Sequence, residues 1–446
     1  MIATRRRPGT LLPFTLVALA ACAPGAPADD ASVTAMSGGT PSPLAAQCAP
    51  DNGGITLPEG FCAIVVSDSL PGARHLVVAD NGDVFVALRN TRTGRDGPVS
   101  TGGVAVLRDT DGDAHPDVTE RWGVNGGNDV LLADGFVYHS PDDAVLRYPL
   151  SAGEMTPSGP PDTIVSGLPA VDNHAAKSIA LGSDGSLYVN IGAPSNACQE
   201  QARTPGSPGQ DPCPQLDLRA GIWRFDGSRT GQVEADGTRF ATGLRNVVAL
   251  RMNPTTQVLY GAVHGRDQLH DLWPDLFTVD QSTEKPAEEF VRLDEGADYG
   301  WPYCFYDPET GAKVLAPEYG GDGHEVGRCA DKDLPIIGFP AHWAPNDLEF
   351  YTGSQFPARY QGGAFIAFHG SWNRAPNPQD GYRVVFVPTQ GDGFGTDWEI
   401  FANDFRREGE GVQSARPVGL AVGPDGSLYV SDSLRGRIWR IVYRGQ

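Results

Sequence analysis

KSIALGSDGSLYVNIG, residues 177–192, reads as an apolar strand, an Asp-Gly turn and a second strand that carries an aromatic. Asp-Gly between alternating apolar segments is a strong hairpin signal, because the turn needs backbone angles that these two residues tolerate. The unit recurs as HLVVADNGDVFVAL (75–88) and VGLAVGPDGSLYVSD (418–432), and in shortened form as DVLLADGFVYHS (129–140). VVALRMNPTTQVLYGAVHG (247–265) and NDLEFYTGSQFPARYQGGAFIAFHG (346–370) are diverged or expanded copies. Third strands follow several of them: AVLRYPL (144–150), GIWRFD (221–226), YRVVFVP (382–388) and RIWRIVY (437–443). Six copies predict an all-β fold, a six-bladed β-propeller. ITLPEGFCAIVVSDS (55–69) precedes the first copy and is expected to supply the outer strand of the last blade, closing the ring. The uneven spacing puts insertions around 193–220, 266–345 and 371–415, and such loops build sites on one face. The Asp-Gly turns themselves make the fold, not the chemistry.

Composition agrees. The chain has 446 residues, 40% hydrophobic and 20% charged, which is enough for a sizeable core and excludes a disordered protein. Its 56 Gly and 37 Pro argue for many turns and few long helices. A formal net charge of −21 repels phosphate backbones, so nucleic acid is excluded as a partner class.

The first 22 residues, MIATRRRPGTLLPFTLVALAAC, combine Arg5, Arg6 and Arg7 with a short apolar run, Leu11 to Ala21. The run is too short to span a bilayer comfortably. It ends in Leu19-Ala20-Ala21-Cys22, which resembles a bacterial lipobox and makes Cys22 the expected lipidation site; a plain secretory peptide is the alternative. The expected organisation is a signal peptide over 1–21, a flexible tether over 22–45 and the propeller over 46–446. The other six cysteines fall as close pairs, so Cys48–Cys62, Cys198–Cys213 and Cys304–Cys329 are the expected disulfides of an exported, periplasmic protein. No C-x-x-C or C-x-x-C-H occurs, which argues against zinc and excludes a c-type haem on this chain.

Candidate chemistry clusters where loops enter the inner strands. His174 lies in VDNHAAK (171–177), just before one of them, with Asp172 and Asn173 beside it to orient the ring. Arg245 and Asn246, in GLRN (243–246), hold the same junction one blade on. Arg416, in Ala415-Arg416-Pro417, holds it in the last blade, and DYGWPYC (298–304) follows a long loop. A lone His at such a junction is more often a structural hydrogen-bonding group. Polar residues at equivalent junctions of different blades, however, converge on one axis.

NHAAKSIALGSDGSLYVNIG (173–192), GLRN, VHGRDQL (263–269), DYGWPYC, FHGSWNR (368–374) and RPVGLAVGPDGSLYVSD (416–432) occur in this order. Over nearly all of 55–446 the chain thereby resembles the PQQ-dependent glucose/sorbosone dehydrogenases, and the sorbosone branch more closely. The resemblance implies an enzyme that oxidises an aldose, a sorbosone-like sugar aldehyde or a related alcohol. It implies pyrroloquinoline quinone (PQQ) and Ca²⁺ as cofactors. His174 matches the family's general base, which takes the hydroxyl proton while hydride passes to C5 of the quinone; an imidazole suits that task. Arg245 and Asn246 match residues at the quinone carbonyls, where a guanidinium stabilises developing charge. Arg374 and Arg416 are candidates for the quinone's carboxylates; the family's second C-terminal Arg falls on Val418 here. The family's Ca²⁺ takes main-chain carbonyls that map onto Gly265 and Arg266. With no haem on the chain, electrons pass to an external quinone or cytochrome.

Asp109, Asp111, Asp113, Asp117 and Glu120 occupy EF-hand-like positions 1, 3, 5, 9 and 12 of a loop that is otherwise an acidic surface turn, so a separate Ca²⁺ site or a bland turn are both open. Trp301, Trp343 and Trp372 are candidates for the substrate funnel or for packing, and His369 for the site or a structural role. Two other function classes stay open: a calcium-dependent lactonase, which needs acidic metal ligands on the axis, and a non-catalytic propeller that binds partners.

Overall fold

In the turns of the inner hairpins Gly82, Gly185 and Gly426 adopt φ of 91°, 84° and 84°, the left-handed region that the Asp-Gly and Asn-Gly pairs supply. The computed structural model describes residues 39–91, 99–123, 125–170, 173–406 and 415–445. In it the inner strands are Ala73–Val78, Gly127–Ala133, Ile179–Leu181, Ala249–Met252, Pro345–Phe350 and Pro417–Val422. Each begins an antiparallel four-stranded blade, and the six blades pack around one axis as a six-bladed β-propeller. The second sheet gains a fifth strand, Gln232–Val233, parallel to Asp162–Ser166.

The last blade is completed by the start of the domain. Phe61–Ser67 pairs antiparallel with Ile438–Tyr443, Phe61 opposite Tyr443. As read from the sequence, the ring closes by joining its two ends, which removes a free sheet edge. The core lies between neighbouring blades. Between the last two, Phe61 meets Phe356, Tyr360, Phe401 and Tyr443, ring centroids 4.8–5.5 Å apart.

Two expectations need correction. The 266–345 segment is not all insertion: Glu288–Leu293 and Ile337–Phe339 are the third and fourth strands of the fourth blade. Glu288 and Glu289 disguise the first of these. Both are buried, Glu288 held by backbone amides and Glu289 by Lys313, 2.6 Å away. Likewise 371–415 contains Arg383–Val387 and Glu399–Ala402 of the fifth blade. The inserted pieces carry two short helices, Leu269–Leu272 and Val279–Glu284, and a hairpin of Cys304–Asp307 with Ala312–Leu315. The tether also ends earlier than residue 45. Thr40 donates to the Gln355 carbonyl at 2.9 Å and Ser42 to that of Tyr443 at 2.7 Å, and Pro43–Gln47 forms a 3₁₀ turn. Cys22 lies outside the described residues.

The disulfides join Cys48 to Cys62, Cys198 to Cys213 and Cys304 to Cys329. The first pins the entering chain to the closing strand. The other two cross-link the long loops above the third and fourth blades. Among the described residues no helix is long and apolar enough to cross a membrane.

A cation-lined candidate active site at the propeller axis

The six inner strands run the same way along the axis, so their N-terminal ends open on one mouth. The residues there are tied to each other across blades. Arg74 donates to Asn128 Oδ1 (2.9 Å from Nε) and to Asn346 Oδ1 (3.0 Å). Asn128 donates to Ser178 Oγ at 3.0 Å, and Ser178 in turn to the Val248 carbonyl. His264 Nε2–H donates to the Pro345 carbonyl at 2.6 Å, and Ser431 Oγ to that of Arg74 at 2.6 Å. This polar ring links all six blades and floors the mouth.

His174 stands on that floor with φ of 60°, an unusual conformation for a residue with a Cβ. Its Nδ1 lies 2.7 Å from the Ala193 carbonyl. A carbonyl only accepts, so Nδ1 carries the proton and Nε2 keeps its lone pair. The orienting group is thus Ala193. Asn173 instead donates to the Pro194 carbonyl at 3.2 Å, and Asp172 lies outside the described residues. Gly192 makes the approach possible: a Cβ there would sit 2.6 Å from His174 Cβ and 2.8 Å from Asn246 Oδ1. Asn246 is fixed by Asn190, whose amide donates to it at 3.2 Å.

Arg245 is buried beside His174. It donates to the Gly265 carbonyl (2.8 Å), Asn196 Oδ1 (3.1 Å) and Asp267 Oδ2 (2.9 Å). Asp267 is the hub of this side of the mouth, since it also accepts from Arg203 at 3.0 Å and from Asn373 at 2.6 Å. Burial pushes Asp267 up, but Arg245, His342 and Arg203 outweigh it and hold the carboxyl far below its usual range. Glu288 accepts from the amides of Gly265 (2.9 Å) and Ala344 (3.1 Å), and burial lifts it to about 8.

Several basic groups here are depressed. Burial, then Arg245, lowers His174 to about 3; burial lowers His264 to about 4. Burial and then Arg89 lower Arg74 to about 9. Arg245 and Arg416 are lowered by burial, and His369 falls well below the imidazole range through burial and Arg416. The histidines are therefore neutral and the arginines carry the charge: Asp267 answers Arg245, while Arg74 and Arg416 are held by amide and carbonyl oxygens, in a chain of net charge −21. That electrostatic state favours an anionic guest.

Arg416 is held here by the His369 carbonyl, 3.1 Å from Nε, and by that of Gly370. Arg374 is not, which corrects its assignment to a cofactor carboxylate. Its guanidinium is committed to the carbonyls of Thr283, Ala341 and Pro378 and to Glu284, so it pins the loop to the helix Val279–Glu284. Arg266 turns its side chain to the buried Glu318. The Gly265 carbonyl accepts Arg245 and retains a second lone pair. Trp301 and Trp343 are buried, their indole N–H groups bonded to the Asn196 carbonyl and Asp380, and only Trp372 of the three is exposed. His369 packs against Ser433, Nε2 2.8 Å from Oγ. Sequence reasoning missed Arg74, His264, Asp267 and Glu288; VHGRDQL contained two of them, but nothing in it marked their direction.

On the surface hairpin the carboxylates of Asp109, Asp111 and Asp117 come within 4.8 Å of one another, whereas Asp113 and Glu120 stay outside that group. Among the described residues this is the one cluster of acids that close.

Fold and site define a six-bladed propeller whose axial mouth gathers Arg74, Arg245 and Arg416 near His174, a neutral imidazole oriented by the Ala193 carbonyl. The chain belongs to the TrAA12-like family, whose model matches residues 55–444. A pyrroloquinoline quinone-dependent pyranose dehydrogenase of Coprinopsis cinerea is 30% identical over 193 residues, 36% of this chain and 26% of that one. The first curated relatives are matched over 48% and 26% of their own length. The same fold occurs in a calcium structure of a Trichoderma reesei carbohydrate-active enzyme of family AA12 (TM-score 0.69, 19% identity, 87% of this chain and 97% of that one). It also occurs in the holo form of the PQQ domain of a Coprinopsis cinerea pyranose dehydrogenase (TM-score 0.68, 21% identity, 87% and 97%).

Proposed function

We propose that this protein is a PQQ-dependent dehydrogenase that oxidises an aldose, a sorbosone-like sugar aldehyde or a related alcohol. The observation that carries the reading is the gathering of three arginines, Arg74, Arg245 and Arg416, at the mouth of an acidic propeller. A quinone with three carboxylates is the guest such a pocket suits, and family membership supports it. When bound, PQQ supplies the acceptor for a hydride and thus the redox chemistry.

The chain's own residues divide the remaining tasks. Arg416 and Arg74 offer charge to the cofactor's carboxylates. Arg245 and Asn246 would hold its carbonyl side, where Arg245, preorganised by Asp267, would stabilise negative charge. His174 takes the substrate hydroxyl proton at Nε2, because its Nδ1–H is spent on Ala193. The main-chain carbonyls of Gly265 and Arg266 would be the hard-cation ligands for Ca²⁺; the calcium-containing relative supports this.

A lactonase reading needs free carboxylates on the axis. Asp129 instead sits 3.2 Å from His75 and accepts the Ile179 amide, while Asp347 accepts those of Leu348 and Leu420. We further read the protein as exported, lipid-anchored in the periplasm through Cys22, and passing electrons to a separate quinone or cytochrome; the three disulfides support an oxidising compartment. Titration of the apoprotein with PQQ and Ca²⁺, followed by visible absorbance, and an aldose panel with a dye acceptor test the reading. A quinone spectrum with sugar-dependent dye reduction is expected. Absence of both would leave a binding propeller.

A further inference from the structure

Three separate segments of the chain meet at the carboxylate of Asp267. Arg245, from the entrance to the fourth blade, and Arg203, from the loop over the third, both donate to Oδ2, at 2.9 Å and 3.0 Å. Asn373, from the loop after the strand Ala364–Phe368 of the fifth blade, donates to Oδ1 at 2.6 Å. Asn196 clasps the backbone of Asp267, accepting its N–H at 2.8 Å and donating to its carbonyl at 3.0 Å. The main chain here is thus fixed, but the last torsion of an Asp side chain is soft. A carboxylate tied through one oxygen can swivel about it, and a bond to the second oxygen sets its plane. Asn373 makes that bond.

The loop that carries Asn373 is anchored by other residues. Arg374 donates to Glu284 at 2.6 Å and to the Thr283 and Ala341 carbonyls at 3.1 Å. Asn377 donates to Asp280 Oδ1 at 2.9 Å and to Thr283 Oγ1 at 3.0 Å. These bonds fasten the loop to the helix Val279–Glu284. The Asn373 side chain takes no part in that attachment: its Nδ2 goes to Asp267, and its Oδ1 is buried without a hydrogen-bond partner. A buried acceptor left unpaired is costly. The Asp267 carboxylate only accepts, so the amide cannot turn over to relieve it. A bond kept at that cost, to the acid that holds Arg245, points to a task in the site rather than in the loop.

We propose that Asn373 is a positioning residue for the dehydrogenase reaction: it sets the plane of the Asp267 carboxylate, which in turn fixes the orientation of Arg245. The functional part rests on the assignment of Arg245 to the cofactor made above. The geometric part, that Asn373 acts on Arg245 through Asp267, does not.

Asn373→Leu keeps the volume and removes the donor. As apoprotein titrated with PQQ at fixed Ca²⁺, it is expected to bind about 2–10-fold more weakly, the usual worth of one hydrogen bond. Loaded with quinone, it is expected to lose about 10–10²-fold in kcat, the scale of a misplaced group, with the sugar KM unchanged. Asn377→Ala loosens the same loop from the helix without touching Asp267; it is expected to lower Tm at least as much, with the quinone titration and kcat of the parent. In an Asp267→Ala background, where that folds, Asn373→Leu is expected to add no further loss. Crystals of apo Asn373→Leu are expected to show the Asp267 carboxylate turned and the Arg245 guanidinium displaced. A parent that binds no PQQ would defeat the functional reading, and these crystals would then decide the positioning role. Arg245 unmoved in them, equal losses in Asn373→Leu and Asn377→Ala, or an undiminished loss with Asp267 already removed would each overturn the inference.

Discussion

His174 shows how little separates a structural imidazole from a base. The Ala193 carbonyl sets its tautomer, and burial, reinforced by Arg245 beside it, keeps it unprotonated. His174→Gln is expected to lower kcat by about 10²–10⁴-fold, while PQQ titrates as in the parent; steady-state dye reduction checks this, and activity within a few-fold of the parent would remove His174 as the base. Arg245 depresses His174, so Arg245→Met should move the acidic limb of the kcat/KM profile of the loaded enzyme to higher pH; an unmoved or lowered limb contradicts that coupling. His264 is held at about 4, below its unfolded value, so the folded state binds fewer protons. The stability this contributes is present above about pH 6.5 and is lost as pH falls from there through the folded value. His264→Gln, which can still donate to Pro345, should flatten the fall of Tm across that window. The junction positions of His174, Arg245 and Arg416 were legible because each lies on the short segment leading into an inner strand. Arg374 misled because it lies on a loop: one residue earlier, Asn373 turns inward to Asp267, while Arg374 turns outward to Glu284.

At the scale of strands, the closing pair Phe61–Ser67 with Ile438–Tyr443 joins residues far apart in the chain. Phe61 is buried in an aromatic cluster spanning two blades. Phe61→Ala should cost about 3–5 kcal/mol, the usual range for a buried Phe, read as a shift of the urea midpoint with unchanged slope. A change below 1 kcal/mol would mean the closing strand adds little. The repeated hairpins were readable from turn chemistry and alternation. Glu288–Leu293 was not, since its two carboxylates look like surface residues until the partners that bury them are in place.

For the whole molecule, the ring is fastened at its entrance by Cys48–Cys62 and by the contacts of residues 39–47 with Gln355 and Tyr443. Reduction of the disulfides should lower Tm, by an amount consistent with about 2–5 kcal/mol per bridge, and scanning calorimetry with and without reductant measures it. Expressed with its native leader, a Cys22→Ala form is expected in the soluble fraction and the parent with the membrane; equal partitioning would refute lipid anchoring.

The sequence by itself determined the fold class, the number of blades, the strand that closes the ring and the cysteine pairs. These rest on local patterns: turn residues, period-two alternation and short separations along the chain. Only the tertiary structure decided which polar residues form the site. Arg74, Arg245, His264 and Asp267 come from different blades and loops, and their charges act on each other only once the propeller brings them to one mouth. Burial there, absent from any local pattern, turns ordinary arginines and histidines into a pocket deficient in negative charge.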